Sequence, residues 1–289
     1  MAPSLRKMNA VMVSCLQVTW PVPQRFGYFQ RSLAAYCRQS HANRELVIVL
    51  DQGDAGTHTA IASYVSSLGR DDIRIVEPRG KRSLGALRNI SCENARGDVL
   101  CQWDDDDFHH PQRVEQELKA LVESGSASVH LEEVMQFFPD SRTLYCTNWC
   151  ATESRGLPGT LMCMQYVPIR YPETGSESQL GEDSAVSLQL QRHGSFHVLT
   201  GVPHLYVYVS HGGNLCTDEH HRMLVRELSL SKGLLRRREA QLREGLRPFD
   251  FGPGDVTVQG YNGPAFTLDA GAAISREAPS GLPSRRTVI

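Results

Sequence analysis

The stretch GDVLCQWDDDDFHHP, residues 97–111, sets an apolar, strand-like run directly against four consecutive aspartates. Four ionised carboxylates side by side repel one another, and at pH 7 all four would be charged if left in water. A strand that ends this way needs counter-charges or a ligand at its tip. The segments before it give the context. Residues 10–19 (AVMVSCLQVT), 44–51 (RELVIVLD), 72–78 (DIRIVEP) and 98–104 (DVLCQWD) read as strands. Between them, 25–40 is helical, with Phe26, Phe29, Leu33 and Tyr36/Cys37 recurring at the helix period. Residues 57–69 and 83–97 read as helices closed by Gly69 and Gly97. This order predicts an α/β fold, a mostly parallel sheet with helices on both faces.

In open α/β sheets, ligands bind beyond the carboxyl ends of the strands. The aspartates Asp104–Asp107 lie at the carboxyl end of the fourth strand, Asp51 at that of the second, and Thr19 at that of the first. Asp107 also has the position to cap a helix starting near Pro111. Hard cations such as Mg²⁺ or Mn²⁺ bind through one or two carboxylates together with phosphate oxygens. A metal–diphosphate ligand would therefore neutralise the cluster.

Composition narrows the classes. The chain has 289 residues, 40% of them hydrophobic, with formal net charge -2, a balance that argues against a nucleic-acid partner held by bulk charge. No apolar run reaches the ~18 residues of a membrane-spanning helix. The N-terminal MAPSLRKMNAVMVSCLQVTW reads as a lead into the first strand rather than a signal peptide. The eight cysteines form no C-x-x-C pair; they read as buried small hydrophobes in a reducing cytoplasm, and zinc is not expected.

With these residues in place, RELVIVLDQGD (44–54) and SLGALRNISCENARGDVLCQWDDDDFHHP (83–111) resemble the nucleotide-sugar domain of family 2 glycosyltransferases, which have the GT-A fold, a Rossmann-type sheet. The likeness covers residues 10–115 closely and continues more loosely to YVYVSHGGN at 206–214. It implies transfer of a sugar, with inversion, from a nucleoside-diphosphate sugar (a UDP-sugar by preference) to a hydroxyl acceptor, lipid-linked or saccharide, in polysaccharide or glycoconjugate synthesis. It implies Mn²⁺ or Mg²⁺ as cofactor. Residue by residue, Thr19 matches a first-strand nucleotide contact and Asp51 a uracil-binding acid; the family usually has two acids there, and Leu50 stands at the first. Arg88 matches the basic residue near the nucleotide, and Lys81 and Arg82 are placed to hold phosphate. Asp104 resembles the ribose-side acid and Asp106 the metal ligand. Asp105 takes the variable position, and Asp107 supports the turn. His211, in a family-like Y-x-x-H-G-x-N ending, is implied as a further metal ligand, ahead of His109 and His110. The family's E-D pair falls on Glu182 and Asp183, with Asp183 as base and Glu182 positioning. On local chemistry the pair also suits a helix N-terminus, as a structural cap.

The domain is divided as 1–115, the nucleotide-sugar half; 116–217, the acceptor and catalytic half; 218–249, a C-terminal helical segment; and 250–289, a largely irregular tail. Trp149 and residues 153–163 are assigned either to the acceptor pocket or to ordinary core and loop. Residues 218–246 read as one long polar helix interrupted by Gly233, with Arg236–Arg238 as a basic end open to peripheral membrane contact. Two other functions compete. A sugar nucleotidyltransferase would want a glycine-rich basic loop after the first strand, where TWPVPQRFGYF (19–29) has two prolines, one glycine and one arginine. A non-catalytic nucleotide-sugar binder would be favoured by loss of the Glu182–Asp183 pair, which is intact.

Overall fold

The computed structural model describes residues 8–192 and 194–269. Strand β1 (Val13–Thr19) leads through helix α1 (Phe26–Cys37) to β2 (Arg44–Leu50), then through α2 (Ala55–Ser67) to β3 (Ile73–Val76) and through α3 (Leu84–Glu93) to β4 (Val99–Gln102). Side chains begin the later helices: Asp54 accepts from the Thr57 amide and Ser83 from the Ala86 amide. Helix α3 ends at Glu93 rather than at Gly97. Gly97 instead lies against β1, where a Cβ would meet the Met12 carbonyl at 2.7 Å. After the aspartates come β5 (Phe108–His109), α4 (Arg113–Ser124), β6 (Ser128–Leu131), β7 (Glu133–Phe138) and β8 (Thr143–Asn148). Then follow β9 (Met162–Met164), α5 (Glu182–Arg192), β10 (Phe196–Leu199) and β11 (Tyr206–Val209). Helices α6 (Asp218–Leu228), α7 (Lys232–Arg237) and α8 (Glu239–Leu246) precede β12 (Val256–Gly260) and β13 (Gly263–Leu268).

Seven strands form the main sheet in the order β10-β6-β9-β4-β1-β2-β3. All its pairings are parallel except those of β9, which runs antiparallel between β4 and β6. Alternation along the strands gives the sheet two apolar faces. Cys15, Leu46, Ile48 and Cys101 pack with Phe29 and Leu33 of α1, Ile61 of α2 and Leu118 of α4. Leu16, Val47 and Leu100 face the other way, onto Val186 and Leu190 of α5 and Cys92 of α3. Helices thus cover both faces, as the strand–helix alternation predicts.

A second sheet, which the sequence does not announce, has the order β13-β12-β8-β7-β11-β5. It packs Met135, Phe137, Leu144 and Val207 against Leu235 of α7 and Leu242 and Leu246 of α8. β4 belongs to the first sheet and β5 to the second, so the four aspartates form the passage from one sheet to the other.

Two expectations for the C-terminal part need correction. The long helix of 218–246 is three helices, and the break falls at Ser229–Ser231, not at Gly233, which lies inside α7. There the chain turns extended, bridges Ser229 to Thr147, and bonds the Leu230 amide to the Cys146 carbonyl at 2.9 Å. At its basic end Arg238 grips Glu133 with two 2.8 Å bonds and Arg236 donates to the Ala265 carbonyl, while Arg236 and Arg237 remain exposed. Residues 250–269 are not irregular either. They hold the β12–β13 hairpin, whose Val256 and Val258 are buried while the alternate residues Thr257 and Gln259 are partly exposed, and β12 extends the second sheet beside β8. Residues 270–289 lie outside the described residues. No helix among the described residues is long and apolar enough to cross a membrane.

Val258 is fully buried in the second core. Val258→Ala should therefore lower unfolding free energy by about 1.5–3 kcal/mol in urea titrations. A loose tail would give a change within about 0.5 kcal/mol.

Candidate active site

The four aspartates turn to different partners. Asp104 accepts from Nη2 of Arg88 at 3.2 Å and from the Tyr206 hydroxyl at 3.3 Å. Asp105 meets Nη2 of Arg25 at 2.5 Å, and the same nitrogen lies 3.0 Å from Oδ2 of Asp106. That Asp106 oxygen is also 3.0 Å from Nε2 of His211. Asp107 is buried, with one oxygen accepting from the Val209 amide at 2.7 Å and the other from the Tyr206 hydroxyl. Asp107 therefore caps no helix. It ties the strand-end turn to β11, and α4 begins after Gln112 without a side-chain cap.

Arg88 joins two parts of the chain. Its Nε donates to Glu182 at 2.8 Å while Nη2 holds Asp104. The next residue, Asn89, clamps the segment leading to α5: its Oδ1 accepts from the Tyr171 amide and its Nδ2 donates to the Tyr171 carbonyl, both at 2.9 Å. Gly85, one turn earlier, lies so close to Pro172 that a Cβ there would fall 1.8 Å from its carbonyl oxygen. The GALRN segment thus docks α3 onto the chain before α5 and brings the Glu182–Asp183 pair to Asp104.

Charge and burial sort these carboxylates. Burial works against ionisation of Asp106, but the His211 hydrogen bond and the Arg25 charge outweigh it and hold Asp106 below the usual carboxylate range. Burial pushes Asp105 up to about 6 despite Arg25. Asp107 is driven well above the ordinary value by burial and by the charges of Asp106 and Asp104. Asp183, half-buried, is pushed up to about 6 by burial and by the neighbouring charge of Glu182. Burial would neutralise Arg88, but Asp104 and Glu182 overcome it and keep the guanidinium charged.

The other sequence-selected residues are more scattered. Thr19 is buried at the end of β1, its Oγ1 accepting from Gln17 at 2.9 Å, and its carbonyl accepts from the Asp51 amide at 2.9 Å. The two therefore sit side by side on the strand-end edge. Lys81 and Arg82 are exposed in the loop before α3, where Arg82 bonds only the Arg79 carbonyl among the described contacts. His109 is structural. Its Nε2 donates to the Asp104 carbonyl at 2.9 Å, its Nδ1 accepts from Arg113 at 2.6 Å, and its ring stacks on Trp103. His110 packs edge-on against His204 and Phe249. Of the 153–163 segment, Gly159 approaches the site, since a Cβ there would lie 3.1 Å from Asp104 Oδ2. Trp149 packs in the cluster around Leu131 and Tyr206. The cysteines carry no disulfide; Cys15, Cys101, Cys146 and Cys163 are buried as expected, whereas Cys37, Cys92 and Cys216 are half-buried and Cys150 is exposed.

Three contributors escape sequence reasoning. Arg25 stands in the loop after β1, Arg31 donates to the Asp106 carbonyl, and Tyr206 links Asp104 with Asp107. No spacing rule points to Arg25; its one signal is that it is the only cation between β1 and α1. For a divalent ion, the donor set of Asp106 and His211 is chemically apt, and Asp105 has a second, buried oxygen without a hydrogen-bond partner among the described residues. Among the described residues no group of three or more His, Cys, Asp or Glu side chains is arranged as a metal site. Asp106 and His211 would thus supply only part of an ion's ligands.

Residues 20–144 match the family described as glycosyl transferase family 2. A Bacillus subtilis protein named as a glycosyltransferase, EpsE, is 28% identical over 90 residues, 31% of this chain and 32% of its own length. An uncharacterized glycosyltransferase of Methanocaldococcus jannaschii is 26% identical over 117 residues, 40% of this chain and 39% of its own. The chain thus matches about a third of the length of these curated relatives. In fold, Staphylococcus aureus TarS, solved with UDP, superimposes with TM-score 0.55 at 16% identity, over 82% of this chain and 70% of that one. The mannosyltransferase PcManGT of Pyrobaculum calidifontis, solved with GDP-Man and Mn²⁺, gives TM-score 0.50 at 14% identity, over 81% and 62%.

The Arg88 bridge makes a stability test. Arg88→Met leaves Glu182 and Asp104 as buried or half-buried charges without their cation and should cost about 3–5 kcal/mol of unfolding free energy. Adding Glu182→Leu should recover part of that loss, because one uncompensated charge is then gone. Urea unfolding of both variants reads the difference.

Proposed function

We propose, from the glycosyl transferase family 2 domain that this chain carries over residues 20–144, that it transfers a sugar from a nucleoside-diphosphate sugar to a hydroxyl acceptor with inversion at the anomeric carbon. The observation that carries this reading is the Arg88 bridge, which sets the Glu182–Asp183 pair beside the strand-end aspartate Asp104 although 94 residues separate Arg88 from Glu182. In this reading Thr19 and Asp51 face the nucleoside, Lys81 and Arg82 the phosphates, and Asp104 the ribose. Asp106 and His211 would hold Mn²⁺ or Mg²⁺ through the diphosphate. A divalent cation there supplies stabilisation of the charge on the departing nucleoside diphosphate.

Asp183 takes the proton of the acceptor hydroxyl. Glu182 is committed to Arg88, whereas the only hydrogen bond to the Asp183 carboxylate among the described residues comes from the Ser184 amide. A carboxylate lifted to about 6 is a stronger base than an ordinary aspartate and is still ionised near neutral pH. Gly159, close against Asp104, leaves backbone rather than a side chain on that side of the donor.

The donor reading is tested by calorimetry with UDP-sugars and GDP-mannose, with and without Mn²⁺. Binding of at least one donor, strengthened by Mn²⁺ and lost in Asp106→Asn, is expected; no binding of any would refute it. Asp183→Asn should keep donor affinity near wild type and lower turnover by roughly 10²- to 10⁴-fold. Wild-type turnover should fall as pH drops through about 6, because the base works only when deprotonated. A pure helix cap would leave turnover in Asp183→Asn nearly unchanged, since Asn caps as well as Asp.

A further inference from the structure

Arg25 occupies the position where this donor site needs a positive charge. Its side chain is 16% exposed, one nitrogen touches both Asp105 and Asp106, and Nη1 reaches the Gly213 carbonyl at 3.5 Å. The Asp106 oxygen it holds is the one that also meets His211. A divalent cation set between the facing atoms of Asp106 and His211 would take that same oxygen, and two cations at contact distance around it repel each other strongly. Arg25 stands at the end of the short 3-10 turn Pro23–Arg25, at the N-cap of α1, and reaches the aspartates with a long side chain.

Resting on the donor reading above, we propose that Arg25 is a built-in counter-cation that competes with the divalent ion for Asp106. Without donor, it neutralises Asp105 and Asp106 and ties the β1–α1 loop to the loop after β11. The metal gains the site when a diphosphate enters, because the phosphate oxygens complete the ion's ligands and offer the released guanidinium an anion of its own. The free protein then binds divalent ions weakly, and metal and nucleotide bind as linked partners.

The test is Mn²⁺ titration without nucleotide, followed by the electron paramagnetic resonance of free Mn²⁺. Arg25→Gln should bind Mn²⁺ at least about tenfold more tightly than wild type, since the competing state is removed. Electron spin echo modulation should show an imidazole nitrogen coupled to that Mn²⁺, and His211→Ala should remove it. Arg25→Lys keeps the buried charge on a shorter side chain and lacks the second nitrogen that reaches the Gly213 carbonyl. It should fall between wild type and Arg25→Gln, and it carries the test if Arg25→Gln does not fold. Equal or weaker Mn²⁺ binding in these variants, Mn²⁺ binding by none of the proteins, or tight Mn²⁺ without the imidazole coupling overturns the proposal. UDP calorimetry in a chelator runs beside it: if UDP still binds, the donor reading survives the failure of the Arg25 competition.

Discussion

Four adjacent carboxylates at a strand end cannot be buried unless each finds its own compensation, and that requirement organises the molecule. An unpaired ion away from water costs several kcal/mol, and neighbouring like charges add to it. The chain answers from four places. Arg88 comes from α3, Arg25 from the loop after β1, His211 from the loop after β11, and Tyr206 with the Val209 amide from β11 itself. Asp107 goes further, since its environment favours the neutral acid. Because the aspartates are also the passage between the two sheets, the same contacts that neutralise them hold the sheets together.

The neutralising contacts are at the same time the ones that assemble the candidate site. Arg88 cannot satisfy Asp104 without approaching Glu182, and Glu182 cannot be held without presenting Asp183 beside it. Close backbone approach does the rest. Gly85 and Asn89 lock α3 to residues 171–172, and Gly159 leaves Asp104 uncrowded. Charge satisfaction and construction of the candidate site are therefore one set of contacts.

Much of this was legible in the sequence where local pattern and position coincide. The first four strands are contiguous apolar runs separated by helices of ordinary length, so their order and the edge holding Thr19, Asp51 and Asp104 followed directly. The roles given to Arg88, Asp106, Asp183 and His211 came from a family likeness, and the structure brings Arg88 to Asp104 and His211 to Asp106. Arg25 was not legible, because a lone arginine in a proline-containing loop has no periodicity and its partners lie 80 and 81 residues away. The second sheet was missed because its strands are short and interrupted. Val256 and Val258 alternate over too few residues, between glycines and prolines, to stand out from a loop. The break in the long C-terminal helix was misplaced because propensity singles out Gly233. What ends α6 is tertiary: Ser229 and Leu230 pair with the neighbouring strand.

The antiparallel strand β9 has a consequence for how the chain reaches this state. It is only Met162–Met164, yet among the described strands it alone joins β4 to β6, pairing Leu100 with Cys163 and Val129 with Met162. During synthesis β1 to β4 emerge first and can assemble at once, but β4 then presents an open edge until some sixty further residues have been added. An open, apolar edge strand is a template for pairing with another chain. The vulnerable interval for this sheet is therefore the one between β4 and β9, when a half-built sheet waits for three residues to close it.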